Sequence, residues 1–308
     1  MTPTLHIITQ CTDRKKVAVP PSLRLRAFQQ ADVEARAAAW LRALRAWPER
    51  IPAHELYAGE HWAASLDAQR AAEQRGVASR LWVLSAGYGL LPGDAEVAPY
   101  AATFVSGNAD SVVRGPSSAP EQRQSWLAGL ARAKDSQHRA LNKVGDVSRD
   151  IFLVTLSRPY LQALLPELHD LRDALRIEDQ LAIVTAECPE LSTPRWAPHW
   201  LPSAGRLRNI VGGTMVGLHA RIAKRLVSDT PPKHFGASAW RDEVQKWLNE
   251  APQLEQSHRQ PMSDDEVREF IRREGAPSWS VALRQLRGSG RACEQGRFRK
   301  LFLETRTS

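Results

Sequence analysis

Short runs of aliphatic and β-branched residues alternate along this chain with longer stretches whose apolar positions recur every three or four residues. The short runs lie at residues 5–10, 80–86, 150–156 and 180–186 (LHIITQ, RLWVLSA, DIFLVTL, QLAIVTA). Each is almost continuously apolar and bounded by polar or turn-forming residues, which predicts buried strands. Helical spacing predicts helices over 31–47, ended by Pro48, and over 61–75, stopped by Gly76. Two more are expected over 121–141 and 159–175. Strands without a polar face, separated by helices, imply an α/β fold: a mostly parallel sheet with helices on both faces. Residues 107–120 are rich in Gly, Ser and Pro and predict a long loop.

Beyond the fourth strand, residues 205–227 predict a turn followed by an amphipathic helix. Residues 229–262 then turn polar and Gln-rich behind Pro231 and Pro232, and predict a linker with one helix at 237–249. The last segment opens on Ser263-Asp264-Asp265-Glu266, where the hydroxyl and the Glu three residues later can satisfy free backbone donors at a helix start. Helices are expected over 263–273, 278–287 and 293–304, with Gly275 in the first turn. That is the outline of a helix-turn-helix or winged-helix module. The domains expected are therefore 1–228, an α/β catalytic domain; 229–262, the linker; and 263–308, a basic helical DNA-binding module. Trp40 and Trp247 fall at helical spacing and are expected in the core.

Charge adds a partner to this outline. The 308 residues carry 42 Lys and Arg against 34 Asp and Glu, a net +8 in which Arg predominates. Arg suits bidentate contacts to phosphate, so a polyanion fits, although GC-rich coding produces a similar Arg excess. Residues 278–308 hold seven basic and two acidic residues, and Arg284, Arg287 and Arg291 recur at helical spacing, either lining a face toward DNA or forming a solvated helix face. Cys11, Cys188 and Cys293 lack paired spacing, and no His pair has ligand spacing. No metal or other cofactor is expected, and a reducing, cytoplasmic setting is. No stretch approaches the length of a membrane span, and a monomer is expected.

The chemistry concentrates in residues 82–104. A strand ending in Ser85-Ala86-Gly87-Tyr88-Gly89 puts a tight turn at the carboxyl end of the sheet, where open α/β sheets bind ligands. Asp94, Glu96 and Tyr100 follow on the loop. The same turn is equally read as a structural connection.

Several stretches together resemble the YaaA-like group, bacterial DNA-binding proteins related to a peroxide-stress protein. They are Ile7 to Lys15, Leu56-Tyr57-Ala58-Gly59-Glu60, Ser85-Ala86-Gly87-Tyr88-Gly89-Leu90-Leu91, Pro92-Gly93-Asp94 and Pro99-Tyr100. Weaker matches at Leu156 to Tyr160 and Arg206 to Arg221 extend the resemblance over residues 5–225. It implies an α/β fold with a DNA-facing cleft, and DNA-base chemistry in some members. Removal of a modified base in antiviral defence and deazaguanine processing are both among them. The Pro-rich linker and basic C-terminal helices depart from the housekeeping members.

Base excision passes through an oxocarbenium-like sugar and needs a carboxylate beneath it, together with an aromatic pocket for the flipped base. Glu55, Glu60 and Asp94 are the candidate catalytic carboxylates. Tyr57, Ser85, Gly87, Tyr88 and Tyr100 are the candidate base-binding residues. Lys15, Arg206, Arg208, Asn209, Arg284, Arg287 and Arg291 are the candidate DNA contacts, with Asn209 and the Gly212-Gly213-Thr214 turn holding a phosphate or forming a packing turn. Cys11 is either a nucleophile or a buried thiol. The expected function is a DNA glycosylase that flips a base of double-stranded DNA. The alternatives are a non-catalytic DNA binder and a deazaguanine or nucleotide-processing enzyme.

Overall fold

A computed structural model describes residues 3–115, 117–252 and 260–307. The chain divides between Pro252 and Gln253 into two compact units.

The first unit opens with β1 (Leu5–Gln10) and α1 (Val33–Ala46), whose Asp32 cap accepts from the Ala35 amide. Next come the two-residue β2 (Ile51–Pro52), the single turn α2 (Ala53–Leu56), α3 (Glu60–Gln74), β3 (Ser79–Ser85), β4 (Gly89–Pro92) and β5 (Glu96–Val97). A second half supplies α4 (Ala119–Arg132), β6 (Ile151–Thr155), α5 (Arg158–Ala174), β7 (Leu181–Thr185), β8 (Trp200–Pro202), α6 (Arg208–Val211), α7 (Leu218–Asp229) and α8 (Ala237–Glu250).

Six strands form one sheet in the order β4-β3-β1-β6-β7-β8, parallel except for the hairpin between β3 and β4. β1 and β7 are buried along almost their whole length, so both faces of the sheet are covered, as their unbroken apolar sequences require. α3 packs on β1, β3 and α7, while α4 packs on both α1 and α5. From β1 the chain crosses to β3 on one side, and from β6 it crosses to β7 on the other. The lateral strand order therefore reverses direction between β1 and β6.

Two elements end differently from the sequence reading. The helix expected to reach residue 141 stops at Arg132, because the following segment turns to satisfy the free edge of β4. There the Leu90 amide donates to His138 Nδ1 at 3.0 Å and the Arg139 amide to the Leu90 carbonyl at 2.7 Å. The expected linker 229–262 contains α8, whose Trp240, Val244, Trp247 and Leu248 are buried in the first unit's core. That unit therefore extends past residue 228 to Pro252, because an amphipathic helix must bury its apolar stripe. The rest of the expected linker, residues 253–259, lies outside the described residues.

The second unit comprises β9 (Gln260–Pro261), α9 (Asp264–Glu274), α10 (Trp279–Gly288), β10 (Arg291–Ala292) and α11 (Gln295–Thr307). The capping box forms as its sequence predicts: the Glu266 amide donates to Ser263 Oγ, and Glu266 accepts from the Ser263 amide. Val267, Phe270, Ile271, Leu286, Phe298 and Phe302 make a separate core. β9 and β10 pair in parallel, one before α9 and the other after α10, so they are not the antiparallel hairpin of a wing. Arg284 and Arg291 are exposed. Arg284 and Arg287 line a groove of about 600 Å³ beside Trp279, whose ring lies under Arg299.

Candidate functional site

Polar side chains collect at the carboxyl ends of the adjacent parallel strands β1 and β6. Gln10 bridges the two, its Oε1 accepting from the Ser157 amide at 2.7 Å and from Ser157 Oγ at 2.8 Å. The loop after β1 then folds back on the segment before α3. Lys15 and Tyr57 form an antiparallel bridge, and the Thr12 hydroxyl reaches the Ala58 carbonyl.

That bridge sets the Lys15 ammonium 4.8 Å from the centroid of the Tyr100 ring and 5.7 Å from that of Tyr57. Its hydrogen bonds go to the Thr12 carbonyl (2.9 Å) and the Asp13 carbonyl (3.4 Å). Among the described residues Lys15 has no carboxylate in ion-pair contact. Burial pushes its ammonium below the usual lysine range, against the pull of nearby acids such as Asp13 and Asp110.

Under Lys15 the hydroxyls form a chain. Tyr57 and Tyr100 are bonded at 2.9 Å, and Tyr100 and Ser85 at 2.6 Å. Ser85 Oγ also accepts from the Gly87 and Tyr88 amides. Alongside, Cys11 Sγ lies 3.3 Å from the Tyr160 hydroxyl, which also lies 3.5 Å from Thr103. Cys11 is thus a buried thiol bonded to a tyrosine. Burial raises Tyr57, Tyr100 and Tyr160 well above the ordinary tyrosine range and Tyr88 to about 12, so all four stay neutral donors.

The base-binding expectation needs correction at this point. Tyr57 and Tyr100 are fully buried and Tyr88 nearly so, leaving no open ring face on which a base can stack. The turn amides of Gly87 and Tyr88 are spent on Ser85, and the Ala86 and Gly87 carbonyls accept from Trp126 and Trp40. Gly87 is needed for close packing: a Cβ there would lie 2.5 Å from the Tyr100 ring.

The three carboxylates do not meet. Glu55 is exposed on α2, with His54 beside it at 3.6 Å. Asp94 borders a cavity of about 500 Å³ with His54, Gln69, Arg80 and Trp82, near the opposite end of β3 from Ser85. Pro92 pairs with Trp82, three residues along β3 from Ser85 and about 10 Å away, and Asp94 lies in the turn beyond it. Glu60 begins α3, where its carboxylate pairs with Arg221 and accepts from the Thr214 amide and hydroxyl. Sequence spacing placed all three on loops; the antiparallel return of β4 carried Asp94 to the far end.

Comparison with family models, curated proteins and solved structures finds no match to this chain.

A second buried polar group adjoins the first through β1. Thr9 Oγ1 bonds His61 Nε2 and Ser65 Oγ, both at 2.8 Å. Nearby, His219 Nδ1 lies 2.5 Å from Ser203 Oγ, at the carboxyl end of β8. Desolvation pushes His61 down to about 3 and His219 to about 4, so both rings are neutral near pH 7. Over them runs the loop 212–217. Its Thr214 amide donates to Glu60, so the proposed Gly212-Gly213-Thr214 phosphate turn already holds an internal anion, and α6 is a single helical turn. Arg208 and Asn209 are exposed, and Arg206 is half-buried. Sequence reasoning missed Tyr160, Ser157, His61 and His219, because each matters through a neighbour on another element.

Proposed function

We propose that this protein binds DNA and excises a base, with the carboxyl ends of β1 and β6 as its reactive centre and Lys15 as the attacking group. The observation that carries this reading is the Lys15 amine, held by carbonyls and aromatic rings at the switch point of the sheet, lowered in basicity and without a carboxylate partner among the described residues. The scattered positions of Glu55, Glu60 and Asp94 favour an amine over a carboxylate as nucleophile. Neutral Lys15 Nζ would attack C1′ of the nucleotide. The N-glycosidic bond breaks with its electron pair going to the base, which takes up the proton the amine loses. The sugar ring opens to an imine, and water hydrolyses that imine, restoring Lys15 and leaving an abasic site. The net +8 charge supports a polyanionic substrate. So do the exposed Arg208 and, in the second unit, Arg284, Arg287 and Arg291, read as a helix-turn-helix contact.

Incubation with unmodified and with hypermodified duplex, followed by alkaline cleavage, should reveal abasic sites in at least one. Borohydride should trap the protein on that DNA. Lys15→Met should abolish trapping and lower excision by about a hundredfold or more. Excision that survives Lys15→Met would overturn the assignment of the amine.

A second reading, a non-catalytic DNA binder, is favoured by the fully buried tyrosine rings. It predicts binding without alkali-labile breaks and no effect of Lys15→Met beyond a modest loss of affinity.

A further inference from the structure

We infer that the loop 212–217 is a wedge that enters the DNA duplex and holds open the space a flipped base leaves; the inference rests on the base-excising reading above. Met215 and Val216 stand at its tip with 52% and 77% of their surface exposed. Among the described residues they are the only adjacent pair of large exposed hydrophobics. Apolar side chains of this kind are what duplex-bending proteins insert between base steps, unstacking them.

A wedge must be stiff, and this one is pinned at its base. Gly212 and Gly213 adopt φ of 74° and 69°, a region that disfavours other residues. A Cβ at Gly213 would collide with both Glu60 and Arg221, and one at Gly217 would lie 2.9 Å from Arg221. The Glu60 carboxylate takes the Thr214 amide and hydroxyl, while Arg221 pairs with Glu60 and donates to the Thr214 carbonyl. Glu60, expected as a catalytic acid, is thereby a positioning residue that fixes the loop.

The surroundings select a polyanion over a membrane or a second copy of the chain. Arg206, Arg208 and Asn209 precede the loop, and neither arginine is in an ion pair among the described residues. Glu60, at the base of the loop, is paired with Arg221. The loop also lies at the correct end of the sheet. His61, beneath it, lies close to the Val216 backbone and has Nε2 on Thr9 of β1, while Glu60 is three residues from Tyr57, whose ring lies under Lys15.

The test uses the full chain and a duplex carrying 2-aminopurine, whose fluorescence rises on unstacking, with binding followed separately by anisotropy at low salt. Wild type should bind and raise the fluorescence several-fold at saturation. Met215→Ser with Val216→Ser should bind within about threefold of wild type yet lose most of the rise, and a duplex with a pre-formed mismatch at the probe should restore it. Arg206→Gln with Arg208→Gln should weaken binding tenfold or so while keeping the rise at saturation. Equal fluorescence from the serine variant and wild type would overturn the wedge. So would dependence on Met215 and Val216 of binding to anionic vesicles or of self-association, in place of DNA unstacking. Lack of abasic-site formation with unstacking intact would sink the excision reading alone, because the wedge is read from fluorescence and not from product.

Discussion

Gly87 illustrates how one position can look functional and be structural. A glycine after a strand at the carboxyl end of a sheet fits a phosphate-binding turn as well as a packing turn, since both need backbone without a side chain in the way. Its neighbours decide in favour of packing: the Tyr100 ring occupies the space of its missing Cβ, and its carbonyl accepts from Trp40 at 2.8 Å. Gly87→Ala should therefore cost about 1–3 kcal/mol by overpacking, read as a fall in the denaturant midpoint at unchanged slope. Tyr100→Phe should cost a similar amount by another route, leaving the Tyr57 and Ser85 hydroxyls without their shared partner. A neutral result for both would mean that the hydroxyl chain is open to water.

At the scale of elements, most of what the hydrophobic pattern predicts is present. β1, β3, β6 and β7 lie within a residue or so of the expected runs, because a strand covered on both faces needs an unbroken apolar sequence. The short pairings were not legible. β4, β8 and the pair formed by β2 and β5 have two to four residues each, too few for a period, and they exist because a neighbouring edge offers hydrogen bonds. α8 shows the converse: its amphipathic pattern was plain, but its setting in a polar, Pro-flanked stretch suggested a linker. Trp240 is fully buried in the first unit's core, so a fragment ending at residue 228 should expose that core and aggregate, whereas one ending at Pro252 should fold cooperatively. Trp240→Ala in the full chain should cost about 3–5 kcal/mol. Cooperative melting of the shorter fragment would show that α8 is dispensable.

Across the whole molecule, buried histidines set the response to acid. His61 and His219 are held near 3 and 4 against an ordinary 6.5, and burial lowers His6 and His199 as well. In each case the unfolded chain takes up protons that the folded chain refuses. Stability is therefore undiminished above about pH 6.5 and falls as pH drops through the window between the unfolded and folded values. Each such histidine costs up to about 1.4 kcal/mol per pH unit. Carboxylates held low by ion pairs, such as Asp67 and Glu190, lose their contribution at still lower pH, so the histidines govern the upper part of the acid limb. Equilibrium unfolding of wild type and His61→Gln at neutral pH and at about pH 5 checks this, the variant losing less on acidification. Equal losses would mean that the His61 ring is protonated in the fold.

The linear order of residues was sufficient for the class of fold, the succession of the main helices and strands, and the excess positive charge. Those properties are local, written in the period of apolar positions and in the count of charges. Which side chains share a site was decided only in three dimensions. The lateral order β3-β1-β6-β7 puts the reversal of strand order between β1 and β6, and so brings Lys15, Cys11 and Tyr160 together. The reversal at Gly89 sends Asp94 away, and Arg221, far along the chain, claims Glu60. A pattern of apolar positions reports that a face is buried without naming the strand or helix that buries it.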